Sequence, residues 1–213
     1  MSYHPGWPAT LTDGPVMLRP YRRSDAAAWS EIRRANRAWL EPWEPQPSQP
    51  WDEANSPSVF RLLLREMKRS ARAGTSMPWA VCYEGRLVGS LTLSTIVRRA
   101  FRSATAGYWV DSRFAGRGVI PTALALAIDH AFGPGELHRI EVNIRPENRA
   151  SRRVVEKLGL RQEAYHRRYL QIQGAWRDHI GYAITVEDLE PEGSLLVRWH
   201  RRQARQDGSA EHG

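Results

Sequence analysis

Apolar positions along this chain recur with a strand's period of two in some stretches and a helix's longer period in others, and each switch predicts an element. Val16–Pro20 reads as a short strand. Ser24 is a fair N-cap, and the helix behind it is expected to set Trp29, Ile32 and Trp39 roughly on one side. Between residues 41 and 57, Pro42, Pro45, Pro47, Pro50 and Pro57 forbid a continuous helix. Ser56-Pro57 then offers a cap and a first-turn proline ahead of Phe60, Leu63, Leu64 and Met67, spaced as one helical face.

A meander of strands follows. Trp79–Tyr83 and Leu87–Ser94 are apolar runs joined at Glu84-Gly85-Arg86, a hairpin signal, and Ala104–Val110 is a third strand. A glycine-rich loop enters a helix with Ile120, Leu124, Ala127, Ile128 and Ala131 along one face. His138–Ile144 reads as a strand with Ile140, Val142 and Ile144 on one side. The next helix carries Val154, Val155 and Leu158 and ends at Gly159. Tyr165–Ile172 and Trp176–Ile184 are closing strands linked near Gly174, residues 192–206 read as helical, and a polar tail follows. The order βααβββ, then αβαββ, predicts an α/β domain around a mixed central sheet flanked by helices.

Composition narrows the chemistry. The 213 residues suit one domain with a substantial core. No apolar run approaches the ~20 residues that span a bilayer, and the start of the sequence shows no secretory leader. The single cysteine, Cys82, excludes an intrachain disulfide and a cysteine metal cage. A cytoplasmic protein with no membrane attachment and no metal is expected. A net charge of +8 suits nucleic-acid phosphates. Its arginines are scattered, however, and lysine occurs only at Lys68 and Lys157, so an anionic small molecule suits the charge equally.

The sharpest local signal is Arg113-Phe-Ala-Gly116-Arg-Gly118, between a strand and an apolar helix. Glycines let several backbone N–H groups converge on an anion, the helix start adds partial positive charge, and Arg113 and Arg117 add full charge. Pro121 falls in the first helical turn, where a missing N–H is harmless. No lysine follows Gly118 as a Walker loop needs, and Pro121 occupies the third small position of a dinucleotide fingerprint. An ordinary strand-to-helix turn with solvated arginines fits the loop alone equally well.

The loop has company. Asn36-Arg37, Leu40-Glu-Pro-Trp43-Glu-Pro, Gly107-Tyr-Trp-Val, Ala115-Gly-Arg-Gly118, His138-Arg-Ile-Glu141, Arg145-Pro-Glu-Asn-Arg-Ala-Ser151, Glu156-Lys-Leu-Gly159 and Gly174-Ala-Trp-Arg-Asp-His179 occur in order. Together they resemble the GNAT acetyltransferase superfamily, and within it the RimJ and RimL ribosomal-protein N-terminal acetyltransferases, the RimJ type especially. The resemblance implies a single GNAT-type domain at residues 15–189, with an extension at 1–14 and a basic helix and tail at 190–213. It implies acetyl-CoA as co-substrate, its pyrophosphate held by Arg113, Ala115, Gly116, Arg117, Gly118 and Val119, and its pantetheine arm paired with Tyr108, Trp109 and Val110. Asn148 and Ser151 would face the thioester, with Ser151 assisting the departing thiolate; a plain helix cap is the competing role for Asn148. Two departures stand out: Pro121-Thr122 occupies the place where many relatives carry an acid, and Leu170 corresponds to the proposed base of the RimL type.

Without a carried-over carboxylate base, the chemistry favours an amine that is already partly neutral. An α-amine, with a pKa of ~7.7–8.0, meets that need near neutral pH and a lysine at ~10.4 does not. Water relayed to Glu141, Glu44 or Glu41 would take the proton. The segment 40–57 carries Glu41, Glu44, Asp52 and Glu53 with no Lys or Arg, and interleaves Trp43 and Trp51 with prolines. It reads as an acidic aromatic collar for a cationic acceptor, with Glu41, Trp43 and Glu44 as substrate contacts; a polar surface loop is the alternative. The acceptor is expected to be a protein N-terminus such as that of a ribosomal protein. The alternatives are a small amine (polyamine, aminoglycoside or amino acid) or a weakly active module bound to ribosomes or RNA. Leu195, Leu196 and Trp199 are expected to dock, leaving Arg198, Arg201, Arg202 and Arg205 exposed; monomer and homodimer are both open.

Overall fold

Tight turns and alternating burial lay the chain out as an eight-stranded sheet. A computed structural model describes residues 5–210, and side chains as far as residue 205. The strands are β1 (Leu11–Asp13), β2 (Val16–Pro20), β3 (Met77–Tyr83), β4 (Arg86–Val97), β5 (Ser103–Val110), β6 (Arg139–Ile144), β7 (Arg161–Ile172) and β8 (Ala175–Thr185). Their spatial order is β1-β2-β3-β4-β5-β6-β8-β7, antiparallel except where β5 meets β6. The β3–β4 turn needs positive φ at both Glu84 and Gly85, and Tyr83 pairs with Arg86 across it.

The helices are α1 (Ala26–Ala35), α2 (Arg37–Leu40), α3 (Trp51–Ala54), α4 (Pro57–Arg72), α5 (Val119–Phe132), α6 (Arg149–Leu158) and α7 (Leu195–Ala210). Along β3, Trp79 and Val81 enter the main core with α5 and α6, while Ala80, on the other face, meets Trp29, Phe60 and Leu64 of α1 and α4. The sheet is therefore covered on both faces, and β5 is shared: Tyr108 packs with the main core and Trp109 with the second one.

Several expectations change. Ser24 lies inside a 3-10 turn at Arg23–Asp25 and α1 begins after it, so Ser24 is not the N-cap. Asp25 instead anchors this corner, accepting Arg19 at 2.8 and 2.9 Å and the Arg22 backbone N–H at 2.7 Å. Trp39 leaves the α1 face, because the helix breaks at Asn36, and its Nε1 donates to Val110 O at 3.1 Å. Leu63 is exposed, whereas Phe60 and Leu64 are buried. Ser56 caps α4 through Val59 N as its sequence suggests.

Strand β1, before residue 15, adds to the sheet edge, and Trp79 Nε1 donates to Ala9 O at 3.0 Å. At the other end, Leu195 and Trp199 of α7 are buried against the core. Asp129 of α5 holds the start of α7, accepting Leu195 N at 2.7 Å, Leu196 N at 3.1 Å and Ser194 Oγ at 2.7 Å. Arg198 and Arg202 are not a free basic strip: Arg198 pairs with Glu192 at 3.0 Å and Arg202 donates to Lys157 O. No helix among the described residues is long and apolar enough to cross a membrane.

Candidate active site

Strands β5 and β6 run side by side for three residue pairs, Ser103–Thr105 with Arg139–Glu141, and then part. Beyond Thr105, the edge of β5 that faces β6 has no strand partner among the described residues, and a cavity of about 700 Å3 opens between β5, residues 114–121, the start of α6 and residues 38–44. Tyr108, Trp109, Val110, Ala115, Gly116, Gly118, Val119, Asn148 and Ser151 all line it. An extended chain with amide groups fits a free strand edge, and an anion fits the loop beyond it.

The loop's geometry follows from its glycines. Gly116 and Gly118 stand at φ 80° and 77°, and Gly118 is the left-handed residue from which α5 starts. The first N–H groups of a helix have no intrahelical acceptor. Among the described residues, the amides of Gly116, Arg117, Gly118, Val119 and Ile120 donate to no backbone carbonyl outside the helix. Converging donors at a helix N-terminus form a site for a diphosphate.

The two arginines of the loop are less available than their sequence position suggests. Arg113 does not line the cavity; its guanidinium clasps buried Asp111 at 2.6 and 3.0 Å. Burial opposes ionisation of Asp111, but hydrogen bonds from the Arg113 side chain and backbone outweigh it and hold the carboxyl below its ordinary value. Arg117 stacks over Phe114 with its guanidinium 5.4 Å from the ring, and it too is outside the lining. What the loop presents to the cavity is therefore Ala115, Gly116, Gly118 and Val119.

At the other wall, Asn148 caps α6 by accepting Ser151 N at 3.1 Å, and it lines the cavity as well. A helix cap and a place on the cavity wall thus coincide in one residue. Tyr108 donates its O–H to Ser151 O at 3.2 Å, and burial pushes its phenol pKa up, keeping the donor protonated. Strand β5 and the first turn of α6 are thus tied together across the cavity.

The acidic collar is different in space. Glu41 pairs with Arg37 at 2.8 Å, Glu44 with Arg33 at 2.5 Å and Asp52 with Arg34 at 3.4 Å. The three arginines come from α1 and α2, so charge that looks unbalanced along the sequence is largely answered across the fold. Glu44 and Trp43 line the cavity; Glu41 does not. Glu141 is also away from it, on the sheet face opposite Ile140 and Val142, bound to Arg139 at 2.7 Å. Asp178 accepts Tyr165 O–H and Arg168 N, both at 2.8 Å, within the β7–β8 hairpin.

Residues that pattern reading passed over hold this site together. Arg33 lies 5.0–5.4 Å from the rings of Trp29, Trp51 and Trp109 while it grips Glu44. Arg145 donates to Pro42 O at 2.9 Å and sits over Trp43, joining the end of β6 to the cavity rim. Gln173, at the β7–β8 turn, donates to Glu41 O and Glu44 O at 2.8 and 3.0 Å. The only local hint was the spacing of Trp29 and Arg33, one helical turn apart.

This splayed sheet with a glycine cradle defines a class of protein. Residues 16–161 match the acetyltransferase (GNAT) domain family, and the chain belongs to it. It is 30% identical over 184 residues to the [ribosomal protein uS5]-alanine N-acetyltransferase of Escherichia coli (strain K12), covering 85% of this chain and 93% of that one. RimJ of Mycobacterium smegmatis, solved in complex with CoA-disulfide, shares 42% identity and a TM-score of 0.88, over 92% of this chain and 95% of that chain. The ribosomal-protein-S5-alanine acetyltransferase of Vibrio fischeri shares 28% identity and a TM-score of 0.76 over 86% of this chain and 100% of that chain.

Proposed function

We propose that this chain is an acetyl-CoA-dependent N-acetyltransferase whose acceptor is the N-terminal α-amine of a protein, a ribosomal protein in particular. The observation that carries this reading is the cavity, which joins an open strand edge to a cradle of backbone donors. Relatives named for ribosomal-protein N-acetylation at 30% identity, and RimJ with its CoA-disulfide at 42%, support the acceptor and the co-substrate.

Gly116 to Val119 would hold the pyrophosphate, and the edge of Tyr108–Val110 would pair with the pantetheine amides. A β5 amide would polarise the thioester carbonyl, and Ser151 would donate a hydrogen bond to the sulfur as it leaves. The amine nitrogen attacks the carbonyl carbon, the C–S bond breaks, and the amine's proton passes to water. Glu44 and Glu147 are the only carboxylates among the described lining residues, and an arginine stands beside each: Arg33 at 2.5 Å and Arg145 at 3.3 Å. An α-amine, already partly neutral near neutral pH, asks least of carboxylates that are engaged in ion pairs, and a lysine amine asks most.

Acetyl transfer from acetyl-CoA to N-terminal peptides, small amines and a peptide with only a lysine amine tests the reading. Transfer to peptide α-amines with a preference at the first residue is expected. Transfer confined to small amines would replace the acceptor, and no transfer with no CoA binding would remove the enzyme assignment.

A further inference from the structure

Basic residues that look scattered along the sequence gather on one face of α4. The helix carries Arg61, Arg65, Lys68, Arg69 and Arg72 against one carboxylate, Glu66, which Arg69 engages at 2.8 Å. The other four are exposed, and among the described residues none of them makes an ion pair or a side-chain hydrogen bond. Their spacing along the helix places Arg61, Arg65, Lys68 and Arg72 within an arc of about 60°, as a stripe about 16 Å long.

A turn extends the stripe. Ile96 N donates to Thr75 O at 3.1 Å, which ties the chain just after α4 to the end of β4. Residues 98–102 follow as a turn, with Arg99, Phe101 and Arg102 exposed, Phe101 at 57%. Arg99 and Arg102 stand at φ 60° and 38°, in the left-handed region that favours glycine, so two arginines are kept there at a conformational cost. The turn leads into β5 at Ser103. The cavity lies at the other end of that strand, about 25 Å away along its eight residues, and neither α4 nor the turn lines it.

We infer that α4 and this turn form a binding face for the phosphate backbone of base-paired RNA. Cations one helical turn apart stand about 5–6 Å from each other at Cβ, a repeat suited to a polymer with a charge on every unit. Phe101 adds an exposed ring beside the arginines, on which an unstacked base can lie. A lipid surface is the poorer fit. A helix that lies in a membrane offers its apolar face, and in α4 that face, Phe60, Leu64 and Ala71, is buried within the protein. The choice of RNA over DNA rests on the ribosomal-protein acceptor proposed above; the phosphate chemistry does not.

The test is fluorescence-anisotropy titration of the full chain against a short labelled RNA duplex at several salt concentrations. A Kd of about 1–100 μM near physiological salt is expected, weakening as salt rises. Arg61→Gln/Arg65→Gln/Lys68→Gln/Arg72→Gln should weaken binding about tenfold or more and lower the logarithmic salt slope by about three to four, near one per cation removed. Arg65→Gln/Lys68→Gln should lower it by about two, which covers the case in which the fuller variant fails to fold. Removing the same charge elsewhere, in Arg86→Gln/Arg167→Gln/Arg168→Gln/Arg177→Gln, should change the slope by less than about one. No binding at low salt, or equal losses in the two fourfold variants, overturns the inference. Tighter binding to phosphatidylglycerol vesicles, or to DNA of the same sequence, overturns it as well. Acetyl transfer is read separately: transfer without RNA binding removes this inference alone, and RNA binding without transfer removes the acceptor reading alone.

Discussion

Arg33 and Glu44 meet as a two-pronged ion pair, Nη1 to Oε1 and Nη2 to Oε2, both at 2.5 Å, while Arg33 Nε donates to Asn55 Oδ1 at 2.7 Å. One buried guanidinium therefore joins α1, the rim of the cavity and the residues before α4. Replacing it leaves a partly buried carboxylate and three tryptophan faces without their cation. Arg33→Met is expected to destabilise the chain by about 3 kcal/mol, and Arg33→Lys to recover less than half, because an ammonium cannot reproduce the fork. Urea midpoints at a constant slope measure both. A loss below about 1 kcal/mol in Arg33→Met would mean that the pair is no more than surface decoration.

Asp111 gives a pH dependence of defined sign. Its folded pKa is lowered from 3.8, so its contribution is present above that value and disappears as pH falls through the lower, folded one. Asp111→Asn should cost about 1–3 kcal/mol at neutral pH, where the carboxylate charge and one of the two oxygens that accept Arg113 are lost. The gap between the two proteins should narrow below about pH 4. Thermal unfolding followed across pH checks this, and a gap that stays constant down to about pH 2 would contradict it.

Gly89 is held by contact rather than by its own backbone angles. A Cβ there would lie 2.4 Å from Trp109 O and 3.1 Å from Val110 Cα, both in the strand that walls the cavity. Gly89→Ala must push β5 outward, with an expected cost of about 1–3 kcal/mol, the range for forced overpacking. CoA affinity should fall with it. Normal affinity in a chain whose unfolding midpoint has dropped would show that the cavity edge tolerates the shift.

Thr122 accepts the indole N–H of Trp199 at 2.9 Å, and both residues are buried. Thr122→Val keeps the shape and removes the acceptor, leaving the N–H unpaired. The expected loss is about 1–3 kcal/mol, measured by chemical denaturation. Adding Trp199→Phe should cost less on top of Thr122→Val than in the unaltered chain, a difference that a double-mutant cycle reads directly.

Much of this architecture was legible because it is local. Ile120, Leu124, Ala127, Ile128 and Ala131 recur at helical spacing and lie on the buried side of α5, and Ile140, Val142 and Ile144 alternate into the core. The glycine cradle was visible for the same reason, since its turn and its helix start are adjacent in sequence. The rest was hidden by distance. Glu44 looks uncompensated because Arg33 lies outside the loop that contains it, and Arg113 looks available because nothing in the sequence shows that Asp111 turns inward. The helical period that would carry Trp39 along the α1 face is abandoned at Asn36, whose side chain accepts Ser112 N at 2.9 Å. The extra strand Leu11–Asp13 is too short for any periodicity to declare.

The contact between Trp199 and Thr122 also sets an order in time. Gly118, the last glycine of the cradle, has Trp199 close beneath it: a Cβ there would meet the indole at 3.6 Å. Synthesis proceeds from the N-terminus, so Gly116 to Pro121 emerge about eighty residues before the side chain that braces them. A nascent chain that has passed Thr185 but not reached Trp199 carries all eight strands and the loop sequence but no support under the loop. Support for the cradle is thus a late event in the making of the molecule, fixed by where in the sequence the brace was placed.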